Sequence, residues 1–228
     1  MLSNFFVHIN ETTIHMIQMG ILETLYMTLG STLIAYIIGL PVGVVLVITD
    51  KNGFYPIRWL NGVLNVVVNI LRSIPFLILL FAIIPFTRLV AGTSIGSTAT
   101  LVPLVVSAAP FVARVVEQSI KEVDGGVIEA AQSMGASPMT IICKVLLPEA
   151  RPSLLVGSAI AVTTILGYSA MAGVAGGGGL GDIATRFGFI RYQKDIMLIT
   201  VALLVIIVQI LQGIGMYIAK IGDKRTIG

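Results

Sequence analysis

The sequence predicts an all-α integral membrane protein with five transmembrane helices and one folded loop between the third and fourth. Three observations predict it. Of 228 residues, 56% are hydrophobic and only 11% charged, against roughly a quarter charged in soluble domains. Mean hydropathy is +1.00. The apolar residues fall in long blocks, each able to supply the roughly 20 helical residues that cross a hydrocarbon core of about 30 Å.

The same composition narrows the chemistry. A formal charge of +3 would point to nucleic acid in a soluble protein, but in a membrane chain what matters is where the basic residues fall between spans. The single cysteine, Cys143, excludes an internal disulfide and a cysteine metal cluster. His8 and His15 have no carboxylate or cysteine pattern around them and read as interfacial polar residues. The first fifty residues hold no Lys or Arg, hence no basic region of a cleavable signal, and the N-terminus is expected to stay.

In chain order, residues 1–19 mix Phe5, Phe6, Ile9, Ile14 and Ile17 with Asn4, Asn10, Glu11 and threonines, which suits an amphipathic lead-in at the interface. The first span runs from about Gly20 to Thr49, with Pro41 inside it. Asp50-Lys51-Asn52-Gly53 is a turn, and a second span follows over about Val63–Pro85, interrupted by Asn69, Arg72, Ser73 and Pro75. An arginine there costs on the order of 3 kcal/mol on insertion scales, so Arg72 either lies between helices or snorkels to the interface. Arg88–Gly96 reads as a loop. The third span, about Ser97–Val116, holds Pro103 and Pro110 and is expected to be broken or curved against protein.

The fourth span, from Ser153 to about Ala175, is rich in small residues such as Gly157, Ala159, Ala161, Gly167 and Ala170. Small residues let membrane helices approach closely, which places this helix in the middle of the assembly. Tyr168 and Met171 stand out among them, as packing residues or as side chains projecting into a lumen. Gly176–Gly181 formally satisfies G-x-G-x-x-G, but no strand precedes it and no Gly-Lys-Ser/Thr follows, so it reads as a flexible turn and not a phosphate loop. Ile196–Ile218 is the fifth span.

Between spans three and four, Asp124–Pro148 still looks folded. Val127, Ala130, Ala131 and Met134 recur at helical spacing opposite Glu129, Gln132 and Ser133, predicting a short amphipathic helix. Gly135 follows where a left-handed residue is wanted, Ser137 is placed to cap a second helix, Pro138 to open it, and Pro148 to stop it. The result is a compact knob on the membrane surface. With that knob in the cytoplasm, five crossings put the N-terminus outside and the C-terminus inside. Ten of the 14 basic residues then fall inside and four outside, Arg88, Arg186, Arg191 and Lys194, in line with the positive-inside rule.

No G-x-x-x-x-G-K-S/T, catalytic triad or metal cluster is present, so the chain reads as a path and a mechanical contact, not a catalyst. Five spans are few for enclosing a path, which points to a dimer. Three readings stand: a permease driven by a separate ATPase, a secondary transporter driven by an ion gradient, and a scaffold with no lumen. The second favours carboxylates within the spans, where Glu23 is the one candidate.

The spelling of the knob adds a resemblance. Glu129-Ala130-Ala131, then Gly135, Val145 and Leu147-Pro148 resemble the "EAA" loop of bacterial ABC importer membrane subunits, which docks into a groove on the ATPase; the family more often has Ile at the place of Val145. GLPVG at Gly39–Gly43, RSIPF at Arg72–Phe76, IPFTR at Ile84–Arg88, GTSIG at Gly92–Gly96, AAPF at Ala108–Phe111 and GYSAM at Gly167–Met171 extend the likeness to methionine ABC importer permeases over most of the chain. The resemblance implies an extracytoplasmic interfacial segment at 1–19, an importer transmembrane domain at 20–222 with a coupling loop at 124–148, and a cytoplasmic tail at 223–228. It implies a homodimer in the bacterial inner membrane with two cytoplasmic ATPase subunits, which bind ATP and Mg, and an extracytoplasmic substrate-binding lipoprotein. Glu129, Ala130, Ala131, Gly135 and Pro148 would be the docking residues, and Met171 with Tyr168 the gate. This chain itself would bind no cofactor, metal or nucleic acid.

Overall fold

The computed structural model describes residues 10–222. The tail at 223–228, the first nine residues of the lead-in and His8 lie outside the described residues.

The first helix, α1, runs unbroken over Glu11–Ile48. Asn10 starts it by accepting the Thr13 N–H at 2.8 Å on its side-chain oxygen, and Glu11 places a negative charge on the positive end of the helix. Residues 11–19 of the expected lead-in are therefore the first turns of the same helix. Its 38 residues reach about 57 Å, well beyond a hydrocarbon core of about 30 Å.

The second span is broken. Helix α2 covers Arg58–Ser73, α3 covers Phe76–Ala82 and α4 covers Ile84–Ala91, so the expected loop at Arg88–Gly96 shrinks to the residues after Ala91. Gly92 ends α4 with φ 74°, a left-handed conformation that glycine adopts without strain. Helix α5, Ser97–Lys121, stays helical throughout despite Pro103 and Pro110, and so is not broken. Then come α6 over Gly125–Ser133, α7 over Pro138–Ile141, α8 over Leu147–Glu149, α9 over Arg151–Ala172, α10 over Gly179–Ile183 and α11 over Lys194–Gly222. Four of these helices are long and apolar enough to cross a membrane, and α2 with α3, bent by 100° at the break between them, make a fifth when counted as one span. No strand occurs among the described residues.

The chain divides into two compact units. One gathers the chain up to Leu33 with Ile74–Ser107 and Val162–Gln212. In it Leu166 of α9, Leu180 and Ile183 of α10, and Ile196 and Ile207 of α11 form a core against Ile17, Ile21 and Leu25 of α1. The glycine run is part of this core and not a flexible turn. Gly176, Gly178 and Gly179 take φ between 74° and 81°, and Gly181 lies against the Ala170 backbone with no room for a side chain. The freed N–H groups are satisfied from α1: the Glu23 carboxylate accepts from Gly179 N at 2.7 Å, and the Thr24 hydroxyl from Leu180 N at 2.9 Å. Glu23 is thus a cap.

The other unit holds Ile34–Ser73, Ala108–Ala161 and the chain from Gly213 onward. Lipid tails are as apolar as leucine, so helices meet here through close packing and not through escape from water. Leu46 of α1, Val68 of α2 and Ala113 of α5 form its buried core with Val42 and Leu64. Gly39 and Gly43, four residues apart in GLPVG, let α1 press on α5: a Cβ at Gly39 would sit 2.7 Å from the Ala109 carbonyl, and one at Gly43 2.6 Å from that of Ala113. The most enclosed span is α5, 61% buried over its apolar window, against 33% for the small-residue span α9. The centre within one chain is therefore α5, and α9 keeps much of its surface uncovered by its own chain.

Gly39→Val or Gly43→Val should lower the unfolding temperature in detergent, the overpacking costing about 1–3 kcal/mol. Gly62→Ala, where an added Cβ meets nothing within 4 Å, should leave it unchanged.

Candidate functional site

The knob folds much as its sequence dictates. Asp124 caps α6 by accepting the Gly126 N–H at 2.7 Å. Gly135 ends it with φ 75°, which lets Ala136 N return to the Ala131 carbonyl at 3.1 Å. Ser137 then caps α7 through Thr140 N at 3.3 Å, with Pro138 in its first turn. Pro148, however, does not stop the helix. Residues Ile142–Leu146 form a π turn, and the chain continues through α8 into α9 with only Ala150 between them. The wide turn removes the need for a Pro148 N–H donor and makes room for its ring.

The five proposed docking residues are not all on one surface. Glu129, Ala130, Gly135 and Pro148 are exposed, whereas Ala131 is buried. The expected apolar face is divided as well: Ala131 and Ile128 turn inward, while Val127, Met134 and Met139 stay exposed, Met134 at 82%. The knob thus offers an outward patch of two methionines and a valine beside Glu129. Methionine's flexible thioether adapts to a partner's surface. Cys143 is exposed, with its Sγ 3.7 Å from Met139 Sδ.

Behind the knob lies a cleft of about 760 Å³ lined by Asp50, Lys51, Lys121, Ile128, Glu129 and Gln132. Its rear wall leads into a polar network around Glu117. Glu117 is 6% exposed; it accepts from Arg114 at 2.5 Å and from Lys121 at 2.7 Å. Arg114 also donates to the side-chain oxygens of Asn65 and Asn69 of α2, both at 2.7 Å. Asn65 donates to Asn61, and Asn61 to the Leu46 carbonyl at 2.7 Å at the end of α1. Lys121 reaches Asp50 at 3.5 Å. Burial pushes the Asp50 carboxyl up, but the Asn52 and Lys51 backbone groups and the Lys121 charge outweigh it and hold it below the usual carboxylate range. The recoverable signals are Asn61, Asn65 and Asn69 spaced by four, and Arg114, Glu117 and Lys121 at i, i+3 and i+7, each on one helix face.

The proposed gate residues lie in the first unit. Tyr168 stacks on Phe76, ring centroids 4.9 Å apart and nearly parallel, while Met171, one turn on, is 48% exposed. The stack gives RSIPF and GYSAM a shared contact.

The described residues thus form a multi-span helical protein with an exposed folded knob. The sequence profile of the binding-protein-dependent transport system inner membrane component matches residues 35–227, and the chain belongs to that family. It is 51% identical over 203 residues to the probable D-methionine transport system permease protein MetI of Vibrio cholerae, covering 89% of this chain and 90% of that one. It is 49% identical over 164 residues to the D-methionine transport system permease protein MetI of Escherichia coli K12, covering 72% and 76%. Among solved structures, a chain of the MetNI methionine ABC transporter in an inward-facing conformation superposes with a TM-score of 0.93 at 45% identity, covering 95% of this chain and 100% of that chain. A chain of an amino acid ABC transporter crystallised with histidines shares the fold, with a TM-score of 0.75 at 21% identity over 92% and 95% of the two chains.

Glu117→Ala should destabilise the protein by about 3 kcal/mol, because it leaves two cations without their buried partner; thermal unfolding in detergent reads the loss. Asp50 contributes stability that is present above the usual carboxylate pKa and lost as pH falls through its lowered folded value. Asp50→Asn should therefore flatten the acid limb of the stability profile below about pH 4.

Proposed function

We propose that this chain is the permease subunit of an ATP-driven importer of an amino acid, D- or L-methionine, working as a homodimer with two cytoplasmic ATPase subunits. The observation that carries the reading is the exposed knob: a rigid, doubly capped helix pair that presents Glu129, Met134 and Met139 and ties through Glu117 and Lys121 to the spans. ATP and Mg bind on the partner. Substrate arrives from an extracytoplasmic binding lipoprotein. The N-terminus lies outside and the C-terminus in the cytoplasm, on the strength of the ten basic residues that this orientation keeps inside.

The two knobs act as levers. When the ATPases close on ATP, the knobs move with them and convert the path from inward- to outward-facing; hydrolysis resets it. Met171, flexible and exposed beside the Phe76–Tyr168 stack, seals the path. The ion-gradient alternative is weakened, because its candidate, the Glu23 carboxylate, already serves as a helix cap by accepting the Gly179 N–H.

The test is uptake of radiolabelled methionine into right-side-out vesicles holding this chain with its ATPase and binding protein. Uptake should need internal ATP and survive ionophores; uptake that follows a proton or sodium gradient without ATP would overturn the reading. Glu129→Arg and Gly135→Trp should abolish co-purification with the ATPase while leaving membrane insertion intact. Met171→Ala should raise basal leak.

A further inference from the structure

Arg72 and Arg114 both lie on long helices of the second unit, and one is neutralised while the other is not. Arg114 has Glu117, Asn65 and Asn69. Arg72, in the last turn of α2, is exposed and makes no hydrogen bond or ion pair among the described residues. Among the described residues, Glu23 caps α10 and Glu117 holds Arg114 and Lys121, and no ion pair reaches Arg72.

Arg72 does not stand alone in hydrocarbon. Asn61, Asn65, Asn69, Arg72 and Ser73 fall at i, i+4, i+8, i+11 and i+12, a continuous polar face along a helix whose other sides carry Val63, Val66, Val67 and Ile70. Such a face also suits a helix lying flat in the interface. The packing argues for a place among the spans: Leu64 and Val68 of α2 join Val42 and Leu46 of α1 and Ala113 of α5 in one core. Arg72 then lies about 21 Å along the axis from Arg58, within a core of about 30 Å, too far to snorkel back to that end. Asn65 and Asn69 of that face are taken up by Arg114, so the Arg72 guanidinium is the part of it left to meet water, and in a transporter intramembrane water marks the path.

We propose that Arg72 is the carboxylate receptor of the translocation path: the guanidinium of each subunit holds the α-carboxylate of the passing amino acid through paired N–H donors. The α2 helix stops at Ser73 before Ile74-Pro75, and a discontinuous span is where transporters commonly place such a contact. This inference rests on the importer reading above for the existence of a path and for the substrate class.

The experiment uses the assembled importer with Cys143→Ser and Arg72→Cys in this chain. A charged methanethiosulfonate added from either side should modify position 72; a site facing lipid would stay unmodified and overturn the proposal. Attaching an ethylammonium group should restore at least a tenth of wild-type uptake, and attaching an ethylsulfonate should not. Saturating methionine should slow modification at least fivefold, while methionine amide, which lacks the carboxylate, should not slow it. Modification indifferent to both, with methionine still transported, sinks the receptor and leaves the importer standing. Protection by another amino acid in an importer that does not move methionine keeps the receptor and sinks the substrate assigned above.

Discussion

In hydrocarbon no water is at hand to complete a broken hydrogen-bond ladder, so each peptide group must find its partner inside the protein. The irregularities of this fold are organised by that demand. Where the glycine run frees the first N–H groups of α10, Glu23 and Thr24 of α1 accept them. The same demand gives the Glu23 carboxylate a structural task in its span, accepting the Gly179 N–H.

The requirement is also what makes the second unit stiff. Asn61, Asn65 and Asn69 carry a chain of side-chain hydrogen bonds from the end of α1 to Arg114 of α5, and Glu117 with Lys121 extends it toward the cleft behind the knob. With Gly39 and Gly43 pressing α1 against α5, this unit is suited to move as one body. A lever needs such stiffness, since a contact that bends at its root transmits nothing.

Much of this was legible in the chain. Block hydropathy gave the five crossings, and cap and turn residues gave the knob, including the left-handed Gly135 and the Ser137 cap. What escaped was whatever depends on a partner distant in sequence. Glu23 looks like an ion ligand until Gly179, 156 residues away, is seen to donate to it. Glu117 looks solvated until both its cations close on it. The glycine run looks loose because glycine permits both a mobile turn and a tight backbone crossing, and only the Ala170 backbone against Gly181 decides between them. Ala131, expected on an outward surface, is buried because α6 lies on the rest of its unit through Ile128 and Ala131 and not through Val127 and Met134.

The π turn at Ile142–Leu146 has a consequence for how the knob is aimed. A π turn amounts to one residue inserted into an α-helix, and each residue of an α-helix turns the chain by about 100°. Deleting one residue there would give a straighter helix whose upstream face points a quarter-turn or more away from its present direction. The bearing of the knob's exposed side chains is thus set by a count of residues along this stretch.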